Sequence, residues 1–300
     1  MAPDPAPLSV AFGGRTLKIS SLDKVLYPAT GTTKGEVLDY YVSVAPAILP
    51  QLRDRAVTRV RFPHGVAAGG FFEKNAPAGT PKWIERVPLP ADGVAGSDST
   101  TIRWPLLGEI AALVWAVNLG SLELHTPQWR IGHGCPREPA FPDRLVIDLD
   151  PGPGTGLAEC SVVALRIRDR LRAIGIEPRP VTSGSKGLHV YAAVPDGFDA
   201  HATSAITRDL AKAVAAELPE LVVWQMAKDK RIGRVFVDWS QNSSAKTTVT
   251  PYSLRGQAHP QVAAPRTWEE IEKAVTGAPL GQLGPTEVLA RLAADGDLMA

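Results

Sequence analysis

The chain reads as an α/β protein of the α+β type, and its second half predicts a split β-α-β sheet. Three observations lead there. Helical and extended patterns alternate from residue 145 onward. Two of the extended runs are neighbours in sequence, joined only by a Ser/Gly loop. Two apolar runs end in carboxylates, and a sheet of this kind would bring Asp148, Asp150, Asp238 and His189 together on its open face.

The elements follow in order. Residues up to about Pro7 are Pro-rich and are expected to be disordered. Lys34 to about Leu52 predicts a helix, because Val37, Tyr40, Tyr41, Val44 and Ile48 recur at helical spacing. A Pro/Gly/Ala-rich loop covers 63–81 around Phe71 and Phe72, which are either a core anchor or a base-stacking platform. Asp92 to Thr100 is a second loop, and Glu109–Leu119 a short apolar helix. Then come strand 145–149, helix 157–174 ended by Gly175, strands 179–182 and 188–194, helix 203–217 and strand 234–238. Thr267 is a good N-cap before Trp268-Glu-Glu-Ile, and a last helix starts near Thr286. There is no internal repeat.

Composition narrows the class only a little. The 300 residues are 44% hydrophobic with a formal net charge of +1, which describes a globular chain with no global field. Positive charge is local instead: Arg53, Arg55, Arg59 and Arg61 form one cluster, and Lys228, Lys230, Arg231 and Arg234 another. Such runs are usually solvated faces, but the second leads directly into Asp238, which points to a nucleic-acid or triphosphate role. Cys135 and Cys160 have neither metal nor disulfide spacing, and Cys160 falls in a predicted helix as packing. No signal peptide or apolar span is present, so a cytoplasmic, nucleoid-associated protein without membrane contact is expected.

Three segments carry chemistry. In Leu145-Val-Ile-Asp-Leu-Asp-Pro-Gly, Asp148 and Asp150 project to one face of an extended strand. Two like charges that close favour a hard divalent cation, Mg²⁺ or Mn²⁺, although Asp before Pro-Gly is also ordinary turn chemistry. The segment Val181-Thr-Ser-Gly-Ser-Lys-Gly-Leu-His189 places Ser183, Lys186 and His189 around a small loop suited to phosphate through exposed backbone amides. It lacks the P-loop pattern, and a plain hairpin with an exposed lysine fits equally. Val235-Phe-Val-Asp238-Trp-Ser-Gln241 supplies a third strand-terminal acid, enough to hold two cations about 3.5–4 Å apart.

Together with Pro251-Tyr-Ser-Leu-Arg255, Asp23-Lys-Val-Leu-Tyr-Pro28, Phe71-Phe-Glu-Lys74 and Leu122-Glu-Leu-His-Thr-Pro-Gln-Trp129, these motifs resemble the polymerase domain of the bacterial end-joining ligase. That domain belongs to the archaeo-eukaryotic primase superfamily. The resemblance runs on through Ala264-Pro-Arg-Thr-Trp268 and covers nearly the whole chain. It implies a primase-like core with an RNA-recognition-motif-like catalytic sheet plus an N-terminal α/β module. In these terms 8–135 is a DNA-binding module and 136–300 a catalytic module.

The resemblance also implies roles. Asp148, Asp150 and Asp238 match metal-binding carboxylates for two Mn²⁺ or Mg²⁺ ions, and His125 a second active-site histidine. Ser183, Lys186, His189, Gln241 and Arg255 match nucleotide-contacting positions. Lys24 and Lys34 match lysines that read a downstream 5′-phosphate, Arg59 and Arg61 fall on the same DNA side, and Phe71 and Phe72 match stacking aromatics. One departure stands out: the family often carries lysine where this chain has Val60, which favours gap filling with relaxed 5′-end recognition. On a strand, Arg59 and Arg61 share the face opposite Val60.

The implied activity is template-directed nucleotidyl transfer that extends primers and fills short gaps, with ribonucleotides preferred. The implied partners are gapped or broken DNA with a 5′-phosphate, NTPs or dNTPs, a DNA ligase and the Ku end-binding protein. No ligase lysine motif and no nuclease domain occurs within these residues, so the chain reads as a stand-alone polymerase or one domain of a larger protein. The competing readings are a de novo primase, a non-catalytic module that bridges DNA ends, and an Asp-x-Asp glycosyltransferase.

Overall fold

The strand Arg144–Pro151 is the axis of the molecule. The computed structural model describes residues 7–94, 96–132, 139–195 and 197–300, so most of the expected disordered segment, and Cys135, lie outside the described residues. Arg144–Pro151 sits inside a six-stranded sheet whose order is Val222–Val223, Val235–Asp238, Arg144–Pro151, Leu188–Ala193, Arg179–Thr182, Ala264–Pro265. Neighbours are antiparallel except the Val222–Val223 and Val235–Asp238 pair. The four strands Arg144–Pro151, Arg179–Thr182, Leu188–Ala193 and Val235–Asp238 are the split β-α-β unit that the sequence predicts.

Among the described residues, seven α-helices accompany the sheets: α1 (Lys34–Ser43), α2 (Ala45–Leu52), α3 (Ile110–Asn118), α4 (Leu157–Arg172), α5 (Ala200–Glu217), α6 (Trp268–Val275) and α7 (Pro285–Asp295). Strand alternation divides the work of the central strand. Leu145, Ile147 and Leu149 pack one way against Cys160, Val163, Ala164, Ile167 and Leu171, the apolar stripe of α4. Each fully buried Leu, Ile or Val of that set contributes about 1.5–3 kcal/mol. Val146 faces the other way, into a core shared with Leu124, Tyr191 and Leu254, and Asp148 and Asp150 continue that face towards solvent.

A second sheet has the order Thr248–Val249, Ser121–Thr126, Thr58–Arg61, Phe71–Glu73. Its edge strand Thr248–Val249 comes from the second half of the chain and pairs with His125 and Thr126. The chain therefore crosses back over the sequence division near residue 135, and both halves bury one core.

The expected helix over 34–52 is two helices that meet at Val44, which is the C-cap of α1 and N-cap of α2. Pro46 has no N–H to give the preceding turn, and its ring crowds the carbonyl four residues back. All five apolar positions that predicted the helix are nonetheless buried. The expected loop over 63–81 contains the strand Phe71–Glu73, paired with Thr58–Arg61. Among the described residues, no helix is long and apolar enough to cross a membrane.

Candidate active site

The six-stranded sheet lines up its acids by register. Asp238 is the cross-strand partner of Asp148, and Asp148 is the partner of His189 on its other side. Directly paired residues share a face, so Asp238, Asp148 and His189 form one row, with Asp150 two residues along from Asp148. His189 Nε2 lies 3.3 Å from Asp148 Oδ1, and its ring stands edge-on to Tyr191 at 5.9 Å between centroids. His189 is almost fully buried, and its Nδ1 is a buried atom with no hydrogen-bond partner.

Asp238 is held differently. Its Oδ1 accepts the Ser240 amide at 3.0 Å, its Oδ2 accepts Gln241 Nε2 at 2.8 Å, and Lys246 Nζ is 3.9 Å away. With its oxygens so engaged, the acids form no closed coordination cage: among the described residues, no group of three His, Cys, Asp or Glu side chains is arranged to hold an ion. Asp150 carries the record of the crowding. Desolvation, then the charge of Asp148 and more weakly that of Asp238, push its carboxyl up to about 6, although the side chain still reaches solvent. Hard oxygen donors in mutual repulsion, beside an orphaned imidazole nitrogen, fit divalent cations whose shell a ligand oxygen would complete.

The Ser/Gly loop sits at the end of the same strands. Gly184 has φ +68°, and a Cβ there would meet Arg255 Cγ at 2.6 Å; a Cβ on Gly187 would lie 2.1 Å from the Leu149 carbonyl oxygen. The loop corrects one expectation. Four of its amides are taken and not free for phosphate: Ser183 N donates to Gly187 O, Gly184 N to Gln282 Oε1, and Ser185 N and Gly187 N to Ser183 Oγ. What the loop offers a ligand is the exposed Lys186 and the neighbouring Arg255.

Arg255 ties this loop to the second sheet. Its Nη1 donates to Ser183 O at 3.0 Å, and its Nε lies 3.3 Å from Glu123 Oε2. Glu123 also receives the Gly256 amide at 2.8 Å and meets His125 Nε2 at 2.7 Å. Burial pushes the Glu123 carboxyl up, but the His125 hydrogen bond and the Arg255 charge outweigh it and hold it down at about 2. His125 in turn touches Phe72, ring to ring at 5.8 Å. Phe72, His125, Glu123, Arg255 and Ser183 thus form one continuous chain of contacts.

The other expected residues divide. Phe71 and Phe72 are exposed, so neither is a core anchor, but they face opposite ways: Phe72 towards His125 and Val60, Phe71 under the Arg61 guanidinium at 5.5 Å. Arg59 is withdrawn from any DNA surface. It is fully buried over Trp115 and bound to Glu73 at 3.0 Å and to Asn75 O. Arg61 is half-buried and committed to Glu73 and Leu119 O. Neither stands in for a lysine at Val60, which is buried between Phe72 and Glu123 on the opposite face. Lys24 is exposed, while Lys34 is buried and donates to Ser20 O at 2.7 Å. Burial, then the charge of Lys24, bring the Lys34 ammonium down to about 8.

Sequence reading gave no role to Glu123, Lys246 and Gln282. The first has a signal, because Glu123-Leu-His125 puts both side chains on one strand face. The other two are visible only through their partners in space.

Comparisons with known proteins bear on the family and the fold. Residues 33–299 match the family model described as LigD, primase-polymerase domain. The chain is 44% identical to the multifunctional non-homologous end joining protein LigD of Mycolicibacterium smegmatis over 95% of its own length and 36% of the relative's. It is 30% identical to the bifunctional non-homologous end joining protein LigD of Bacillus subtilis, over 87% of its length and 40% of that protein's. The chain therefore spans little more than a third of these relatives. Its structure superposes with a TM-score of 0.88 and 43% identity on the polymerase domain from Mycobacterium tuberculosis Ligase D in complex with DNA, covering 94% of this chain and 96% of that one. On these matches, the chain belongs to the LigD primase-polymerase domain family.

Proposed function

We propose that the chain is a DNA-repair polymerase, a template-directed nucleotidyltransferase that extends primers across short gaps and prefers ribonucleotides. The observation that carries this reading is the row Asp238, Asp148, His189, with Asp150 beside it and two cationic side chains, Lys186 and Arg255, at the same strand ends. Family membership supports it. In the reaction, the primer 3′-oxygen attacks the α-phosphorus, a new P–O bond forms, the bond to the β-phosphate breaks and pyrophosphate leaves.

Each group has a place in that step. Lys186 and Arg255 bind the β- and γ-phosphates and so orient the α-phosphorus for in-line attack. Asp148, Asp150 and Asp238 would hold two Mn²⁺ or Mg²⁺ ions, which when bound lower the pKa of the attacking hydroxyl and neutralise the leaving pyrophosphate. Ser183 and Gln282 fix the loop that carries Lys186. Gln241 and Ser240 keep Asp238 in its place in the row. His125 stands between the nucleotide side, through Glu123, and the DNA side, through Phe72.

On the DNA side, Phe72 stacks on a template base. Because it is 69% exposed, Phe72→Ala removes stacking without a loss of fold. Binding to gapped duplex is expected to weaken about tenfold, with an unchanged melting temperature; equal affinity in a fluorescence anisotropy titration would rule the platform out.

Lys24 and Lys34 receive the downstream 5′-phosphate. Lys34 loses its proton near 8, below the ordinary lysine value, so its charge is largely present at pH 7 and largely lost at pH 9. Any advantage of a phosphorylated over an unphosphorylated gap is therefore expected to shrink as pH rises from 7 to 9. Extension rates on the two gaps across that range measure it, and a constant ratio would exclude Lys34. We carry over the end-joining pathway in the same way, with a DNA ligase and the Ku end-binding protein as partners. Primer extension on a gapped duplex with Mn²⁺, ribonucleotides against deoxynucleotides, tests the sugar preference.

A further inference from the structure

The end of the six-stranded sheet opposite Asp150 holds a cavity of about 580 Å³ that this activity does not use. Arg55, Arg130, Arg144 and Arg179 line it. Two carboxylates share the lining, and both are already engaged. Asp143 accepts Arg55 Nη2 at 2.6 and 2.8 Å and Arg130 Nε at 2.6 Å. Glu177 is bound by Arg172, which lies outside the cavity, at 2.9 Å.

Arg144 has no carboxylate partner among the described residues. Arg144 is buried and donates only to neutral oxygens, those of Gln128, Gln51 and Thr126, while its guanidinium lies over the Tyr191 ring at 5.3 Å. Arg179 donates to the Met299 carbonyl and to a carboxylate oxygen of Ala300, the last residue. Arg55 is 1% exposed, and its Nε is a buried donor with no partner. Burying guanidinium groups beside one another costs free energy unless an anion meets them. Planar, forked donors of this kind match phosphate oxygens.

We propose that this cavity is a second anion site that takes a small phosphate-bearing ligand, of the class of inorganic pyrophosphate or a nucleoside diphosphate. The volume lies within the range of about 300–1,000 Å³ usual for small ligands. Arg55 and Arg144 lie too deep for a duplex backbone that runs along the surface, whereas a small oxyanion can enter. Ile176 and Val194 on the wall give an apolar seat for the rest of a nucleotide.

Calorimetric titration of the full chain with inorganic pyrophosphate, in the absence of divalent metal, tests it. The wild type is expected to bind, Arg130→Gln/Arg179→Gln to bind at least about tenfold more weakly, and Lys186→Ala to bind as the wild type does. Primer extension by the double variant is expected to be unchanged. Should the double variant lose its fold, Arg179→Gln alone, at an exposed position, carries the same expectation. No binding by the wild type, or binding lost in Lys186→Ala and kept in the double variant, would overturn the proposal. So would displacement of pyrophosphate by a short duplex whose own binding the double variant loses, since that assigns the cavity to DNA.

Discussion

Asp148→Ala is expected to reduce templated nucleotide addition by about 10³-fold or more while gapped DNA is still bound. Asp148 is the middle of the acid row, cross-strand partner to both Asp238 and His189, so its removal takes the central carboxylate out of the row. Loss of charge stabilisation at a transferring phosphoryl group costs several kcal/mol, and each 1.36 kcal/mol is about tenfold in rate. DNA affinity survives because Phe72 stands on the strand Phe71–Glu73 and Lys24 in the loop before Val25–Tyr27, both away from the acid row. Asp148→Asn, which keeps the shape and removes the charge, is expected to lose activity to a similar degree. Primer extension with Mn²⁺ measures both variants, and near wild-type addition by either would remove the acid row from the chemistry.

Glu123→Gln is expected to damage both stability and nucleotide binding. Glu123 is a buried anion that anchors Arg255, His125 and the Gly256 amide at once. Removing one partner of a buried ion pair costs about 3–5 kcal/mol. The linkage points the same way. The Glu123 carboxyl titrates at about 2 in the fold against an ordinary value of 4.5, so its contribution is complete above pH 4.5 and lost as pH falls towards 2. A difference of that size corresponds to about 3 kcal/mol. Denaturant unfolding at pH 6 and pH 3 is expected to show a smaller acid loss in the variant than in the wild type. The KM for nucleotide is expected to rise more than kcat falls, because Arg255 loses its anchor while the acid row is untouched. An unchanged KM would mean that Glu123 is structural only.

The second half of the fold was legible because its signals are local. The α4 stripe, the capping residue Thr267 and the alternation through Leu145–Leu149 are each set within a few residues, and the observed elements follow them closely. The acids were legible for the same reason: a strand shows in its own sequence which residues share a face. What was not legible depends on partners distant in sequence. Arg59 looks like a free cation until Glu73 and Trp115 enclose it. The loop at Ser183 looks like an open cradle until Gln282, 98 residues away from Gly184, takes an amide. Phe71 and Phe72 look like one platform, although strand geometry sends them to opposite faces once that segment pairs with Thr58–Arg61. The break at Val44 is different, because Pro46 was in plain view and outweighed a good apolar period.

The most direct test of the central claim is extension of a primer across a one-nucleotide gap with Mn²⁺, the template base varied through all four. Template-directed transfer at the acid row predicts that the added nucleotide follows the template base, and that Asp238→Ala adds none. Addition indifferent to the template base, or no addition by the wild-type chain despite tight binding of the gap, would contradict it.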